Sequence, residues 1–293
     1  MFERKNDQSN TLTIHSVDSR YSIHFLEAIN DIKFGFLGYR SWLTSSLRVS
    51  RQRYRQTYLG PWWTTLSSVL TLFILSLLRT AVNPGISFTE SLSYVGIGWT
   101  LFNFLSKPFS SGMTIFITES PFATHSTTMS SSVFRDTANG VIEFAHEFVA
   151  ILILIIIFHD ELHPAISTTI FVVASIIVSN FGMTLWLGSI SCRYRDIAPI
   201  ALLILRVQMF ISPIFWGISE VPPSSPLVHL AEWNPFSYFM TLMRDSFFGS
   251  SESSQLRFNS VAVISVFAIA NLTIGIGVFS YSRKRLVYWA EST

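Results

Sequence analysis

Residues 162–192 read LHPAISTTIFVVASIIVSNFGMTLWLGSISC and contain no Asp, Glu, Lys or Arg over 31 positions. An α-helix rises about 1.5 Å per residue, so this stretch is long enough to cross roughly 30 Å of hydrocarbon. The whole chain has the same bias, because 49% of its 293 residues are hydrophobic and 13% are charged. Soluble domains carry about 25% charged residues. The sequence therefore predicts an all-α integral membrane protein.

The composition also excludes several other classes of protein. The chain contains 26 Phe and 8 Trp, which are not the residues of a disordered segment. Cys192 is the single cysteine, so no disulfide can form within the chain. The formal net charge of +2 is too small to indicate a nucleic-acid partner.

Six apolar segments, including the one quoted above, are candidates for membrane-spanning helices. In chain order they are Trp62–Leu78, Leu92–Thr118, Val133–Phe158, a span within Leu162–Cys192, Ile197–Ile218 and Phe258–Ser282. Lys107 and Pro108 interrupt the second segment. Because the number of spans is even, both termini are expected on the same side of the membrane.

The distribution of basic residues indicates which side that is. If the amino terminus is cytosolic, 15 of the 20 Lys and Arg lie in inner segments, as the positive-inside rule requires. Residues 1–26 are polar and lack the apolar core of a signal peptide, so they are expected to form a cytosolic tail. The six-span domain would then cover residues 51–285, and residues 286–293 would form a second cytosolic tail.

Residues 27–50 have the pattern of an amphipathic helix. Apolar residues recur at spacings of three and four, at Ile29, Ile32, Phe36, Tyr39, Leu43 and Leu47. Charged residues, including Asp31, lie outside this stripe. The pattern predicts a helix that lies along the membrane surface, although a helix packed on a partner subunit would have the same pattern.

The segment between spans five and six, residues 219–257, combines four prolines with many aromatic residues. Proline breaks it into pieces too short to span a bilayer, yet so much aromatic surface would not stand free in water. We therefore expect short re-entrant helices that form an outer gate, the alternative being an aromatic belt that only anchors the fold. The candidate pore or gate residues are Trp62, Arg206, Phe215, Trp216, Trp233, Phe236, Tyr238 and Phe239.

Ionisable residues inside predicted spans are expensive and therefore informative. Arg206 lies about one third of the way into span five, where it could face a pore or extend to the inner headgroups. Lys107 precedes Pro108, and a kink there would place it at depth. Glu143 and Glu147 are interpreted as part of a polar cytosolic end of span three.

No catalytic arrangement is apparent in the sequence. None of the four lysines is followed by Ser or Thr, so the chain lacks the phosphate-binding loop of ATP-hydrolysing proteins. The Glu143-x-x-His146 pair occurs once, and the pair of histidines at 159 and 163 lacks the rest of a zinc-protease motif, so neither predicts a metal site. The chain is expected to be a non-enzymatic subunit that binds no cofactor.

Four short motifs together resemble the membrane subunit of bacterial ABC exporters for polysaccharides, the permeases of O-antigen, capsule and teichoic acid. The motifs are Arg51-Gln-Arg-Tyr-Arg-Gln-Thr-Tyr-Leu-Gly60 with Pro61-Trp62-Trp63, Arg193-Tyr-Arg-Asp-Ile197, Ile211-Ser-Pro-Ile-Phe-Trp216, and Asn234-Pro-Phe-Ser-Tyr238 through Arg244. The resemblance covers about residues 30–285. It rests on the order of the motifs as well as on their sequences.

The resemblance implies a homodimer in the bacterial inner membrane, bound to two ATP-binding cassette subunits that hold ATP and Mg. Such a complex exports an undecaprenyl-diphosphate-linked glycan from the cytosol to the periplasm. The family places a coupling helix for the ATPase in the loop after span two, here residues 119–132. The residues that would make this contact are Glu119, Ser120, Phe122 and His125.

A diphosphate headgroup at the inner surface requires nearby cations. Arg48, Arg51, Arg53 and Arg55 supply four within eight residues and are the predicted headgroup site. Basic residues beside a span also act as topology anchors, which would explain part of the cluster. Two other functions stay open, a permease for drugs or lipids of the same broad class and a membrane glycan transferase or polymerase.

Overall fold

The computed structural model describes residues 24–53, 58, 62–118, 128–158, 164–249 and 254–291. Within these ranges the chain is helical and contains no β-strand, as the composition predicts. The helices are α1 (24–37), α2 (Tyr39–Arg53), α3 (Trp62–Val82), α4 (Phe88–Leu105), α5 (Lys107–Ser110), α6 (Ile115–Thr118), α7 (Met129–Phe158), α8 (Ile166–Arg193), α9 (Ile197–Ile211), α10 (Pro226–Trp233), α11 (Pro235–Phe248) and α12 (Ser254–Glu291). Short 3-10 helices cover Gly112–Thr114 and Ile218–Glu220.

Four of the described helices are long and apolar enough to cross a membrane. The candidate spans are Thr65–Val82, Met129–Ile157, Ile166–Arg193 and Asn259–Ala290. They confirm that the chain is a membrane protein. The other two predicted spans correspond to the largely buried α4 and to α9, an apolar helix of 15 residues. The total of six spans stays a prediction.

The second predicted span is broken where the sequence places Lys107 and Pro108. Helix α4 begins with an N-cap, because the Ser87 side chain accepts a hydrogen bond from the Glu90 amide. It ends at Leu105, and Pro108 then occupies the first turn of α5, the helical position in which proline is tolerated. The break turns the Lys107 side chain toward α7, where it meets Glu143.

Helices α8 and α12 cross at very close range through two glycines. A Cβ atom placed on Gly275 would lie 2.4 Å from the carbonyl oxygen of Gly182, so no larger residue fits without displacement. Small residues at such crossings let two backbones approach, which favours packing inside a membrane. The Trp186 indole donates to Asn271 at 3.2 Å and adds a polar contact between the same helices.

The bundle has two distinct ends. At one end, Arg193 at the carboxyl terminus of α8 lies over the Trp289 ring of α12, with 5.3 Å between the guanidinium carbon and the ring centroid. Helices α1 and α2 and the start of α7 lie there too, and we call it the basal end. At the other end, the Ala165 amide before α8 donates to the Ser246 carbonyl of α11 at 2.6 Å. We call this the distal end.

Helix α11 runs antiparallel to α4. Phe236, in the first turn of α11, packs on Phe102 near the end of α4, with 6.1 Å between their ring centroids. Arg244, near the end of α11, donates a hydrogen bond to the carbonyl oxygen of Tyr94 near the start of α4. Asn234 caps α11 by accepting from the Phe236 amide and also donates to Ser212 at 2.9 Å. The start of α11 therefore lies deep in the bundle, beside the end of α4, and α11 then runs back toward the distal end.

The amphipathic segment predicted for residues 27–50 is helical but divided at Gly38. The Trp42 indole, on α2, donates to the Gly35 carbonyl at 3.0 Å and fixes the corner. The apolar side chains Phe36 and Leu43 are exposed, as expected for a surface against lipid. Asp31, predicted to lie outside the apolar stripe, is instead buried at 4% exposure because it pairs with Arg283 of α12.

Candidate functional site

Helices α1 and α2 carry the basic surface on which the predicted headgroup site partly falls. Arg48 is exposed on α2, as are Arg40 on the same helix and Lys33 on α1. Arg51 and Arg53 belong to the last turn of α2, with side chains outside the described set, and Arg55 lies outside the described residues. The structure therefore places part of the predicted cluster on a cationic helix pair at the basal end.

Four charged residues join α1 to α12, and we call them the terminal ion-pair cluster: Glu27, Asp31, Arg283 and Lys284. Arg283 Nε lies 2.9 Å from Asp31 Oδ2, and Lys284 Nζ lies 3.0 Å from Glu27 Oε2. The hydrogen bond from Lys284 lowers the pKa of the Glu27 carboxyl below its ordinary value. Asp31 also accepts from the Ser130 amide of α7 at 3.0 Å. The cluster ties the start of α1, the start of α7 and the end of α12 into one surface.

A polar cavity of about 330 Å³ lies between α3, α4, α5 and α7. Its lining residues are Ser67, Ser68, Asn103, Phe104, Ser106, Lys107, Ser110, Gly140, Glu143, Phe144 and Glu147. Lys107 forms an ion pair with Glu143, and Glu147 accepts hydrogen bonds from Ser68 and, at 3.4 Å, from Asn103. The cavity therefore brings ionisable groups from α5 and α7 together at a half-open site on the bundle.

Glu143 and Glu147 lie well inside α7, and their interpretation as part of a polar cytosolic end of span three stays a prediction. They lie 14 and 18 residues after Met129, which places them roughly 21 and 27 Å along α7. This is the middle of a 30-residue helix, not its basal end. The apolar segment starting at Phe144 begins beside them, and the α5 kink supplies Lys107 as a counter-charge.

At the distal end, the Tyr94 ring lies between two buried guanidiniums, an arrangement we call the arginine–tyrosine stack. The guanidinium carbons of Arg79 and Arg244 lie 3.8 and 3.4 Å from its centroid. Arg79 also pairs with Glu220, which accepts a second hydrogen bond from Asn83 at 3.1 Å. The stack attaches the segment after α9 to α3 and α4.

A family model described as ABC-2 type transporter matches residues 40–248. This match covers most of the chain, from α2 to α11. The chain belongs to the ABC-2 type transporter family. A search of curated proteins found no match. The family is one of membrane transport permeases, and it implies dimerisation and association with ATP-binding cassette subunits.

In this ABC-2 type transporter, the predicted pore or gate aromatics fall into three groups by exposure. Phe236 and Phe239 are buried in the protomer, each packed on Phe267. Trp233, at the end of α10, is 89% exposed. Trp62 is exposed, and the remaining candidates are half-buried: Phe215, Trp216 and Tyr238. The structure therefore does not bring all the predicted residues onto one surface.

Arg206 is exposed on α9 among apolar residues. Leu203, Val207 and Phe210 are exposed on the same helix, and Ala201 is its one fully buried residue. A guanidinium amid lipid-facing residues would be costly. The exposed surface of α9 therefore combines an apolar face with one guanidinium, and both predicted positions of Arg206, facing a pore or extending to the inner headgroups, stay predictions.

The predicted coupling residues Glu119, Ser120, Phe122 and His125 lie outside the described residues. The helices that flank them are described. Phe116 of α6 packs on Phe279 of α12 with 6.1 Å between ring centroids, and α7 begins beside Asp31. Both flanks are thus attached to α12 or to the basal end. In the described ranges, no group of three or more His, Cys, Asp or Glu could hold a metal ion.

Sequence reasoning missed the arginine–tyrosine stack because its members are far apart in the chain. Tyr94 and Arg244 are separated by 150 residues, and Arg79 and Glu220 by 141. The sequence feature that could have indicated the stack is the presence of charged residues in segments that are otherwise apolar. Lys107 was identified by that signal, but its partner Glu143 was not.

Proposed function

We propose that this ABC-2 type transporter exports an undecaprenyl-diphosphate-linked polysaccharide of the O-antigen type from the cytosol to the periplasm. The observation that carries the proposal is the α1–α2 pair, an exposed amphipathic surface with Lys33, Arg40 and Arg48 available to phosphate. Cations at a membrane surface bind phosphate groups through charge-assisted hydrogen bonds. Arg51, Arg53 and Arg55, which follow Arg48 in the sequence, are proposed to belong to the same headgroup site.

The basal end is assigned to the cytosol of the bacterial inner membrane. Most Lys and Arg, 15 of 20, belong to segments that a cytosolic amino terminus would leave inside. The terminal ion-pair cluster supports a common side for the two termini, because α1 and the end of α12 are bonded to each other. The cationic surface on α1 and α2 would then contact the diphosphate headgroup in the inner leaflet.

Two copies of the chain and two ATP-binding cassette subunits would form the working complex. Residues 119–132 are the proposed contact with the ATPase, which binds ATP and Mg. The attachment of α6 and α7 near the basal end supports this placement. The α10–α11 pair is assigned to the outer gate of the path, and the exposed Arg206, about one third of the way into span five, is assigned to its wall.

The proposal is tested by reconstituting the complete complex in liposomes with lipid-linked glycan. We expect ATP-dependent movement of the glycan to the opposite leaflet, which glycan-specific lectin binding at that surface measures. Changing Arg48, Arg53 and Arg55 together to Gln is expected to reduce transport at least ten-fold without loss of complex assembly. Arg285→Gln, an exposed basic residue at the basal end outside α2, is the matched control.

The alternatives predict different results. A drug or lipid permease would hydrolyse ATP faster with an amphiphilic drug or plain phospholipid and would not respond to the lipid-linked glycan. A transferase or polymerase would change the length of the glycan. Either result would replace the proposed substrate.

A further inference from the structure

The polar cavity is not part of the cationic surface on α1 and α2, because its residues come from α3, α4, α5 and α7. Lys107, Glu143 and Glu147 are ionisable groups within or beside apolar helices. Such groups are expensive in a membrane protein and mark substrate or ion pathways. The cavity is therefore a candidate binding site in its own right.

The charges of the cavity disfavour anionic ligands while Glu147 is ionised. Lys107 is already paired with Glu143, which leaves Glu147 as a second carboxylate in the same lining. With all three groups ionised, the lining carries one net negative charge. A diphosphate would be repelled, whereas hydroxyl or ammonium donors could bind carboxylate and serine oxygens.

The lining of the cavity has both apolar and hydrogen-bonding parts, which bears on the class of ligand that it can bind. Phe104 and Phe144 also line the cavity, but they are buried and stacked on each other at 4.6 Å between ring centroids, so they add apolar edges and no free ring face. Serines and Asn103 supply hydrogen-bonding groups elsewhere in the lining. A sugar ring has the same division, with apolar CH groups on its faces and hydroxyls around its rim. The volume of about 330 Å³ lies at the lower end of ligand pockets, roughly 300–1,000 Å³, and exceeds what a single dehydrated cation occupies.

We propose that the polar cavity binds one sugar unit of the transported glycan, with hydroxyl groups donating to the Glu147 carboxylate and to serine oxygens of the lining. This inference rests on the proposed export of a glycan and assigns its sugar-binding subsite. Ser68 and Asn103 donate to Glu147 and so position its carboxylate. The sugar site and the diphosphate site are thereby separate, with opposite charge.

The test uses the complete permease–ATPase complex in nanodiscs and two probes, the lipid-linked glycan and the same glycan released from its lipid by mild acid. The measurement is the stimulation of ATP hydrolysis as a function of probe concentration. Glu147→Gln is expected to raise the half-maximal concentration of released glycan at least ten-fold. Glu90→Gln, an exposed carboxylate in the first turn of α4, is the control and is expected to match the unaltered complex.

A second pair of variants keeps every charge and changes only the space. A Cβ on Gly140 would lie 3.5 Å from Lys107 Cγ, which is ordinary contact, so Gly140→Ala is expected to behave like the unaltered complex. Gly140→Leu extends into the cavity and is expected to abolish stimulation by released glycan. Thermal unfolding of each purified complex identifies a variant that fails to fold.

The outcomes separate this inference from the proposed function. If neither probe stimulates the unaltered complex, the proposed function is overturned and the sugar site with it. If the lipid-linked glycan acts but the released glycan does not, or if folded Glu147→Gln and Gly140→Leu respond as the unaltered complex does, only the sugar site is overturned. An altered response of Glu147→Gln to Na⁺ or to pH, with an unchanged response to glycan, identifies a cation site and likewise overturns it.

Discussion

Arg244 is an arginine enclosed almost wholly by protein, with 4% of its surface exposed. Its guanidinium donates to the carbonyl oxygens of Tyr94, Pro213 and Ile214 at 3.1, 2.7 and 3.4 Å. Residues 212–217, directly after α9, are not helical, so their carbonyls need donors from elsewhere. Arginine has five N–H groups in one plane and can serve several carbonyls at once. Arg244 therefore fixes this segment to α4.

Arg244→Met is expected to lower the free energy of unfolding by about 2–4 kcal/mol, because the three carbonyl oxygens lose a charged donor. Unfolding of the detergent-purified protein is the measurement. Arg206→Met, on exposed α9, is the control and is expected to change stability by less than about 0.5 kcal/mol. Equal effects of the two variants would contradict the role assigned to Arg244.

Single residues were predicted from sequence where charge stood out against an apolar background. Lys107 and Arg206 were noticed in this way, and the structure gives Lys107 a specific partner. The partner itself could not be predicted, because the turn of α5 that aims Lys107 at α7 depends on packing. The burial of Phe236 and Phe239 in the protomer was likewise not predicted, because the sequence does not distinguish an aromatic residue that faces a pore from one in a hydrophobic core.

Helices α8 and α12 pack so closely that side-chain size at single positions determines whether the two helices fit together. A Cβ on Gly275 would lie 2.4 Å from the Gly182 carbonyl oxygen, and a Cβ on Gly182 would lie 2.5 Å from the backbone of Asn271, so each helix backbone occupies the space of a side chain on the other. Gly277 lies one half-turn away on α12, and nothing lies within 4 Å of a Cβ placed there. The two α12 glycines therefore form a matched pair for mutation.

Gly275→Ala is expected to destabilise the protein by about 1–3 kcal/mol, because the added methyl group forces the two helices apart. Gly277→Ala is expected to be neutral or slightly stabilising, since alanine favours a helix over glycine. Thermal unfolding in detergent compares the two. A larger loss for Gly277→Ala would refute the proposed close crossing.

The contact of α1 with α12 is expected to weaken in acid. The folded pKa of Glu27 is lowered by its hydrogen bond from Lys284. A lowered folded pKa contributes stability that is complete above the ordinary value of 4.5 and is lost as pH falls through the folded value. After correction for the intrinsic pH dependence of amide exchange, the protection of α1 should therefore be unaffected by this group between about pH 8 and pH 5 and should decrease below that range. In Glu27→Gln, the part of the change in α1 exchange below about pH 5 that Glu27 causes should be absent.

At the scale of the whole molecule, the sequence predicted an all-helical membrane protein because length and lack of charge are local properties. Four long apolar helices confirm that class. The boundaries were less predictable where polar residues are covered by neighbours, as in α4, with buried Ser91, Ser93 and Thr100. Hydropathy measures a residue's affinity for lipid, whereas burial in a bundle depends on which helices pack together.

The arrangement of α10 and α11 predicts which positions an impermeant thiol reagent reaches from the periplasmic side. In a Cys192→Ser background, Trp233→Cys is expected to react readily, because Trp233 is 89% exposed. Phe239→Cys is expected to be protected, because Phe239 has no exposed surface. Labelling of intact cells is the measurement. Protection of position 233 together with labelling of position 239 would contradict this arrangement of the distal end.

The shortness of α9 has a consequence for the surrounding bilayer. Its 15 residues extend about 22 Å, whereas the 28 residues of α8 extend about 42 Å and the hydrocarbon layer is roughly 30 Å thick. Lipids that match α8 are too long for α9, and this hydrophobic mismatch is relieved when α9 is covered by another copy. Longer acyl chains should therefore shift the monomer–dimer equilibrium toward the dimer, so that membrane thickness becomes a variable of assembly.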